Sequence, residues 1–279
     1  MDKNTDSILV GYDGSPDADL ALTWAAETSL LTDRPMQVAI LVDSGARPGV
    51  AWWPPGYWSE VEDRARKLLA HAGVSRVEVS RRGGSVVPML MALGHETSLL
   101  VVGSRGHGRA GELFVGSVSQ HLARHAPCPV AVVRATETKD ARRIVVGLDG
   151  SRASEAALDF ACERARTTGE KVSALRAGEF GPVHLDSRGL MPEALGDFLV
   201  DQERQLAASV SGAVAAHPEI DIESDFITLS PAKALVEASH HASLVVVGSR
   251  GLNAFAGMLL GSVSHEVLHR AHCPVVVVR

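Results

Sequence analysis

Short, almost unbroken apolar runs recur along the first half of the chain, at Ile8–Val10, Val38–Val42, Val77–Val79, Leu99–Val102 and Val130–Val133. They are rich in β-branched residues and lack polar alternation, which predicts strands buried on both faces of a parallel sheet. Between the first two runs the period changes to that of a helix. Ser15 suits an N-cap, Pro16 the first helical position, and Ala21, Trp24 and Ala25 fall on one face. The same face returns later as Ala157, Phe160 and Ala161. Strands alternating with helices through right-handed crossovers predict an α/β, doubly wound (Rossmann-like) sandwich.

The whole pattern is written twice. Residues 98–134 align without a gap on 243–279, with 19 of 37 positions identical, and Ile8-Leu-Val-Gly-Tyr-Asp-Gly-Ser15 matches Ile144-Val-Val-Gly-Leu-Asp-Gly-Ser151. The offset is 136 at the front (Asp13 to Asp149) and 145 at the back (Gly103 to Gly248), so nine extra residues sit in the middle of the second copy. A solenoid would repeat every ~20–50 residues; this period is that of a domain. The polar stretch Arg134–Arg143 lacks apolar periodicity and reads as a linker, giving expected domains at 1–137 and 138–279.

Composition narrows the function classes. The 279 residues are 46% hydrophobic and 22% charged, an ordinary globular balance. A net charge of −6 with no Lys/Arg block of five or more leaves no electrostatic footprint for nucleic acid or anionic lipid. No apolar run approaches the ~20 residues of a membrane span. The opening Met-Asp-Lys-Asn-Thr-Asp has no hydrophobic signal core, so a cytoplasmic protein is expected. Cys128, Cys162 and Cys273 form neither CxxC nor metal-ligand spacing, which suits a reducing compartment.

The candidate chemistry lies in glycines. Both copies carry Gly-x2-Gly-x9-Gly-Ser, as Gly103, Gly106, Gly116 and Ser117 and as Gly248, Gly251, Gly261 and Ser262. The first pair follows a strand; the Gly-Ser precedes helical stretches at Ser119–His125 and Ser264–Arg270. Glycine permits close backbone approach to a ligand, and a helix start offers free N–H groups and positive dipole, which suits phosphate. Tight turns alone would explain one copy; retention of the spacing in both favours an anion site. Asp13 and Asp149 end the first strands, where a carboxylate can accept from ribose, hold a metal, or merely close an Asx-turn or cap a helix. If strand 1 lies beside strand 4, each Asp and its glycine loop share one switch-point crevice. Arg105 and Arg250, inside the loops, either reach phosphate or point to solvent.

Other motifs match by accident. Gly106-His-Gly108-Arg-Ala-Gly111 fits G-x-G-x-x-G but follows strand 4, not strand 1, and no acid lies ~20 residues on. No Walker lysine is present. His265-Glu-Val-Leu-His269 fits H-E-x-x-H, yet copy one has Gln120-His-Leu-Ala-Arg124 there, and Val267 and Leu268 are what a sheet-packing helix needs. Cys128 and Cys273 read as inert buried groups. Trp52, Trp53 and Trp58 crowd one proline-rich loop, as an interaction surface or lid, or as local packing.

The glycine spacing, the opening Val-Gly-x-Asp-Gly-Ser and the closing Cys-Pro-Val-x-Val-Val-Arg resemble the universal stress protein family in its tandem form, over nearly the whole of both copies. The resemblance implies two five-stranded parallel sheets of order 3-2-1-4-5 and ATP, with Mg²⁺, in each domain. Phosphates would meet Gly106, Gly116 and Ser117, flanked by Ser104, Arg105 and Val118. In copy two they would meet Gly251, Gly261 and Ser262, flanked by Ser249, Arg250 and Val263. Ribose would meet Asp13 and Gly103, or Asp149 and Gly248; adenine would meet backbone near Leu41 and Ala177, with Gly11 and Gly147 completing the sets. It implies a homodimer and a stress-linked sensor that is not an enzyme. A slow ATPase using Asp13 and Asp149, or an adaptor with vestigial sites and the tryptophan loop as its working surface, are the alternatives. Arg176 departs from the apolar strand of copy one and is at odds with an adenine pocket; Asp43 and Glu179 keep register and are expected to end strands at the surface.

Overall fold

The computed structural model describes residues 6–42, 54, 56–107, 115–136, 138, 141–179, 193–252 and 259–279. The chain divides into two compact units, Met1–Ala135 and Thr136–Arg279.

The first unit runs β1 (Ser7–Tyr12), α1 (Pro16–Thr32), β2 (Met36–Val42), α2 (Tyr57–Ala72), β3 (Val77–Gly83), α3 (Val86–Gly94), β4 (Thr97–Gly103), α4 (Ser117–His125) and β5 (Val130–Val133). All pairings are parallel, in the order β3-β2-β1-β4-β5. The centre of this sheet is the core: Ile8, Leu9, Val10, Ile40, Leu100 and Val101 are fully buried. Helix α1 packs with α2, and α3 with α4, so both faces are covered. The Ser15 hydroxyl accepts from the Ala18 N–H at 3.2 Å and Pro16 opens α1. Ala21 and Ala25 are buried as the pattern requires, while Trp24 is only half-buried. Strand β3 runs four residues past its apolar signal. It lies at the sheet edge, where Glu78, Arg81 and Arg82 are exposed, so its hydrophobic signature is short.

The second unit repeats the scheme as β6 (Arg143–Gly147), α5 (Arg152–Thr168), β7 (Lys171–Ala177), α6 (Glu193–Ala216), β8 (Ile222–Ile227), α7 (Pro231–Ser239), β9 (Leu244–Gly248), α8 (Ser262–Arg270) and β10 (Val275–Val278). Its order is β8-β7-β6-β9-β10, again parallel. The nine extra residues fall in the β7–β8 crossover, whose helix α6 has 24 residues against 16 in α2.

All three cysteines are buried and none forms a disulfide. Burial, reinforced by Asp159, Glu163 and Glu219, pushes the Cys162 thiol up to about 11, so it stays protonated and unreactive at neutral pH. No helix among the described residues is long and apolar enough to cross a membrane.

Candidate functional site

In each unit the first strand lies directly beside the fourth: Val10 pairs Val101, and Val146 pairs Val246. The turn carrying the aspartate and the glycine loop therefore leave adjacent strands at one sheet edge, the switch point. The turn needs glycine, because Gly14 and Gly150 sit at φ +80° and +86°. Each carboxylate closes an Asx-turn, Asp13 Oδ1 accepting from Ser15 N–H and Asp149 Oδ1 from Ser151 N–H, both at 3.0 Å. The other carboxylate oxygen lies against the loop. A Cβ at Gly106 would sit 2.6 Å from Asp13 Oδ2, and one at Gly251 would collide with Asp149 Oδ2. In the second unit the Leu252 N–H also donates to Asp149 Oδ2 at 2.9 Å.

Burial works against the Asp149 charge, but hydrogen bonds from Ser151, Leu252 and Ser154 outweigh it and hold the carboxyl below the ordinary 3.8. A depressed folded-state value means the stabilisation is complete above 3.8 and is lost as pH falls through the lower value. The urea midpoint of wild type should therefore exceed that of Asp149→Asn by a constant margin at neutral pH, and the margin should shrink in acid. A margin independent of pH down to acid unfolding would contradict this.

The first loop glycine has a packing reason. A Cβ on Gly103 would lie 2.7 Å from the Asp17 carbonyl carbon, and one on Gly248 2.7 Å from that of Ala153. The starts of α1 and α5 thus press directly on the strand tips. The loops are held as a frame. Ser104 N–H donates to Val133 O (2.7 Å), Gly116 N–H to Ser104 O (2.7 Å) and Ser119 Oγ–H to Gly103 O (2.7 Å). Ser249, Gly261 and Ser264 make the same three bonds at 2.6, 2.7 and 2.6 Å. Ser119 and Ser264, absent from the expected sets, are the residues that tie each second helix to its strand.

The helices flanking each crevice differ at their starts. Helices α1 and α5 are capped by the Ser15 and Ser151 hydroxyls. Helices α4 and α8 begin at Gly116 and Gly261 with no side-chain cap. Their first-turn amides, at Ser117, Val118, Ser262 and Val263, are the donors left for a ligand, at the positive end of each dipole.

In the second unit this edge opens into a cavity of about 450 Å³, a size that suits a small-molecule ligand. Gly147, Asp149, Ala177, Gly248, Arg250, Gly251, Gly261, Ser262 and Val263 line it, nine of the ten residues expected there. The tenth, Ser249, is buried behind the loop and absent from the lining. Apolar walls come from Leu148, Leu175, Pro231, Leu235 and Val247, which the motif reading missed. The repeat offset gives a signal for Leu235, whose counterpart Leu90 likewise packs over Gly11. Arg176 also lines the cavity, its Nε donating to Gln202 Oε1 (2.9 Å) and Nη2 to Gln205 Oε1 (2.6 Å). Glu179 is exposed just past β7.

The first unit has the same frame with different side chains. Leu41 is buried in β2, and Gly11 lies between Leu90 and Val102. Arg105 is tied back to the start of α1, its Nε donating to Asp17 Oδ2 at 3.0 Å while its side chain stays 38% exposed. The Ser104 hydroxyl donates to the same oxygen at 2.5 Å, so its side chain serves the loop and not the crevice. His107 Nε2 stands 2.9 Å from both the Asp13 carbonyl oxygen and the Tyr57 hydroxyl. Trp58 belongs to α2, not to a loop, and is half-buried with its ring edge-on to Tyr57. Asp43, Trp52, Trp53, Gly108 and Gly111 lie outside the described residues.

The H-E-x-x-H segment lies on α8 with Val267 and Leu268 fully buried against the sheet, and Glu266 pairs with Arg270 at 2.9 Å. Among the described residues no group of three or more His, Cys, Asp or Glu side chains is placed to hold a metal ion.

A model of the universal stress protein family matches residues 4–134 and again residues 141–279. The chain belongs to the universal stress protein family. Universal stress protein Rv2005c of Mycobacterium tuberculosis (strain ATCC 25618 / H37Rv) is 34% identical over 298 aligned residues, covering 98% of this chain and 96% of that one. Universal stress protein Rv2623 of the same organism is also 34% identical, with the same coverage. Among solved structures, a universal stress protein from Archaeoglobus fulgidus DSM 4304 covers 100% of the chain at 21% identity and a TM-score of 0.69, which shows a shared fold. The tandem universal stress protein architecture thus extends over both units.

Proposed function

We propose that the protein is a stress-response nucleotide-binding protein that takes one ATP, with Mg²⁺, in each copy and acts as a cytoplasmic, homodimeric sensor or regulator rather than as an enzyme. The observation that carries this reading is the 450 Å³ cavity of the second unit, which joins an uncapped helix start, a glycine-lined floor and apolar walls in one space. Phosphates would lie on the Gly251, Gly261, Ser262 and Val263 backbone, ribose beside Asp149, and the base between Leu175, Ala177 and Leu235. Corresponding positions in the first unit are Gly106, Gly116, Ser117, Val118, Asp13 and Leu41.

Asp149 is the one carboxylate among the described residues lining the cavity. A magnesium ion would take its remaining ligands from phosphate and water. The same carboxylate favours binding over hydrolysis. Its charged form is stabilised by hydrogen bonds from Ser151, Leu252 and Ser154, so it is a poor general base. Titration calorimetry of the full chain with Mg·ATP should give about two ATP per chain and no steady release of inorganic phosphate. Absence of any binding heat, together with no nucleotide released from freshly purified protein, would overturn the reading.

A further inference from the structure

The copies agree in backbone at the crevice but differ in charge there at the Asp17 and Ile40 positions. In the first unit Asp17, in the first turn of α1, is 9% exposed and holds Arg105 through Nε at 3.0 Å, while also accepting from Ser104 at 2.5 Å. The repeat places Ala153 at the Asp17 position of the second unit. Arg250, the counterpart of Arg105, is exposed, lines the cavity and has no ion pair among the described residues. The second difference is Arg176, which also lines that cavity; its counterpart Ile40 is fully buried and apolar. The second site therefore sets two guanidinium groups against the one carboxylate of Asp149. In the first, Arg105 is already neutralised by Asp17.

We infer that the two nucleotide sites are unequal: the second discriminates more strongly in favour of a long polyphosphate tail than the first, and Asp17 sets the difference by withdrawing Arg105 from phosphate. This rests on the nucleotide reading above. For Arg105 to meet a terminal phosphate it must give up its charge-assisted bond to a largely buried carboxylate, so the exchange yields little. Arg250 gives up no such bond, and its contact adds to the helix amides. Each additional phosphate therefore strengthens binding more in the second site.

The test separates the sites with Gly116→Glu, leaving the second open, and Gly261→Glu, leaving the first. Each protein is titrated with ATP, ADP and AMP at fixed salt. The ATP-to-AMP affinity ratio should be about tenfold or more higher in the second site. Asp17→Asn should raise the ratio in the first site, and Ala153→Asp, which installs the missing acid at a helix start that tolerates one, should lower it in the second. Equal ratios in the two sites, or ratios unmoved by both substitutions, would overturn the inference while leaving nucleotide binding intact. No binding of any nucleotide to the unsubstituted chain would instead remove the reading on which it rests.

Discussion

Replacing Gly116 and Gly261 together by glutamate is expected to abolish ATP binding, a loss of at least about a hundredfold, without unfolding either unit. Both glycines start a helix at ordinary φ values, −62° and −69°. Among the described residues a Cβ would meet nothing closer than 3.4 Å at Gly116 or 3.6 Å at Gly261. The backbone thus accepts the side chain. The new carboxylate, however, stands where the phosphates would: it takes up the first-turn amides and repels the tail. An acid at a helix start stabilises the helix by about 0.3–1 kcal/mol, so the unfolding midpoints should hold or rise slightly. Binding unchanged in the double variant, with the fold intact, would mean that these amides do not hold the ligand.

The second large effect concerns stability. Gly248→Ala should destabilise the second unit by about 1–3 kcal/mol, as overpacking does where backbone must move. The added Cβ would lie 2.7 and 2.8 Å from the carbonyl carbon and oxygen of Ala153, which are main chain at the start of α5 and cannot rotate away. The control is Gly212→Ala, on the exposed face of α6, where a Cβ meets nothing within 4 Å. There the same substitution should stabilise by about 0.5–1 kcal/mol, because a helix interior favours alanine. Denaturant unfolding of both variants checks the pair. Equal effects of one sign would contradict the close strand–helix approach. The strand-tip glycines would then need a ligand reason instead of a packing one.

Much of this architecture is legible before any coordinates, because buried parallel strands write themselves as apolar runs and the chain writes them twice. Leu99–Val102 and Val130–Val133 cannot be exposed on either face, and their copies at 244–248 and 275–278 repeat the constraint. The edge strand β3 is half legible, since only Val77 and Val79 face enough packing to be apolar. The glycine motif gives the crevice, and nine of ten expected residues line it in the second unit. It does not separate packing from binding: Gly103 and Gly248 serve the helix behind them, and Gly106 and Gly251 make room for the aspartates. The Asp17–Arg105 pair is not legible. Asp17 reads as an ordinary first-turn acid, and its partner lies 88 residues away with no local spacing to announce it. The walls at Leu175 and Leu235 are missed for a similar reason, as they come from strands and helices whose patterns report burial without saying against what.

Amide chemical-shift mapping of the isotopically labelled chain during an ATP titration tests the central claim most directly. The account predicts that the largest shifts fall on the amides of Ser117, Val118, Ser262 and Val263, with the Ser151 and Leu252 amides that face Asp149 moving less. Saturable shifts confined to other surfaces, with those helix-start amides unmoved, would contradict it.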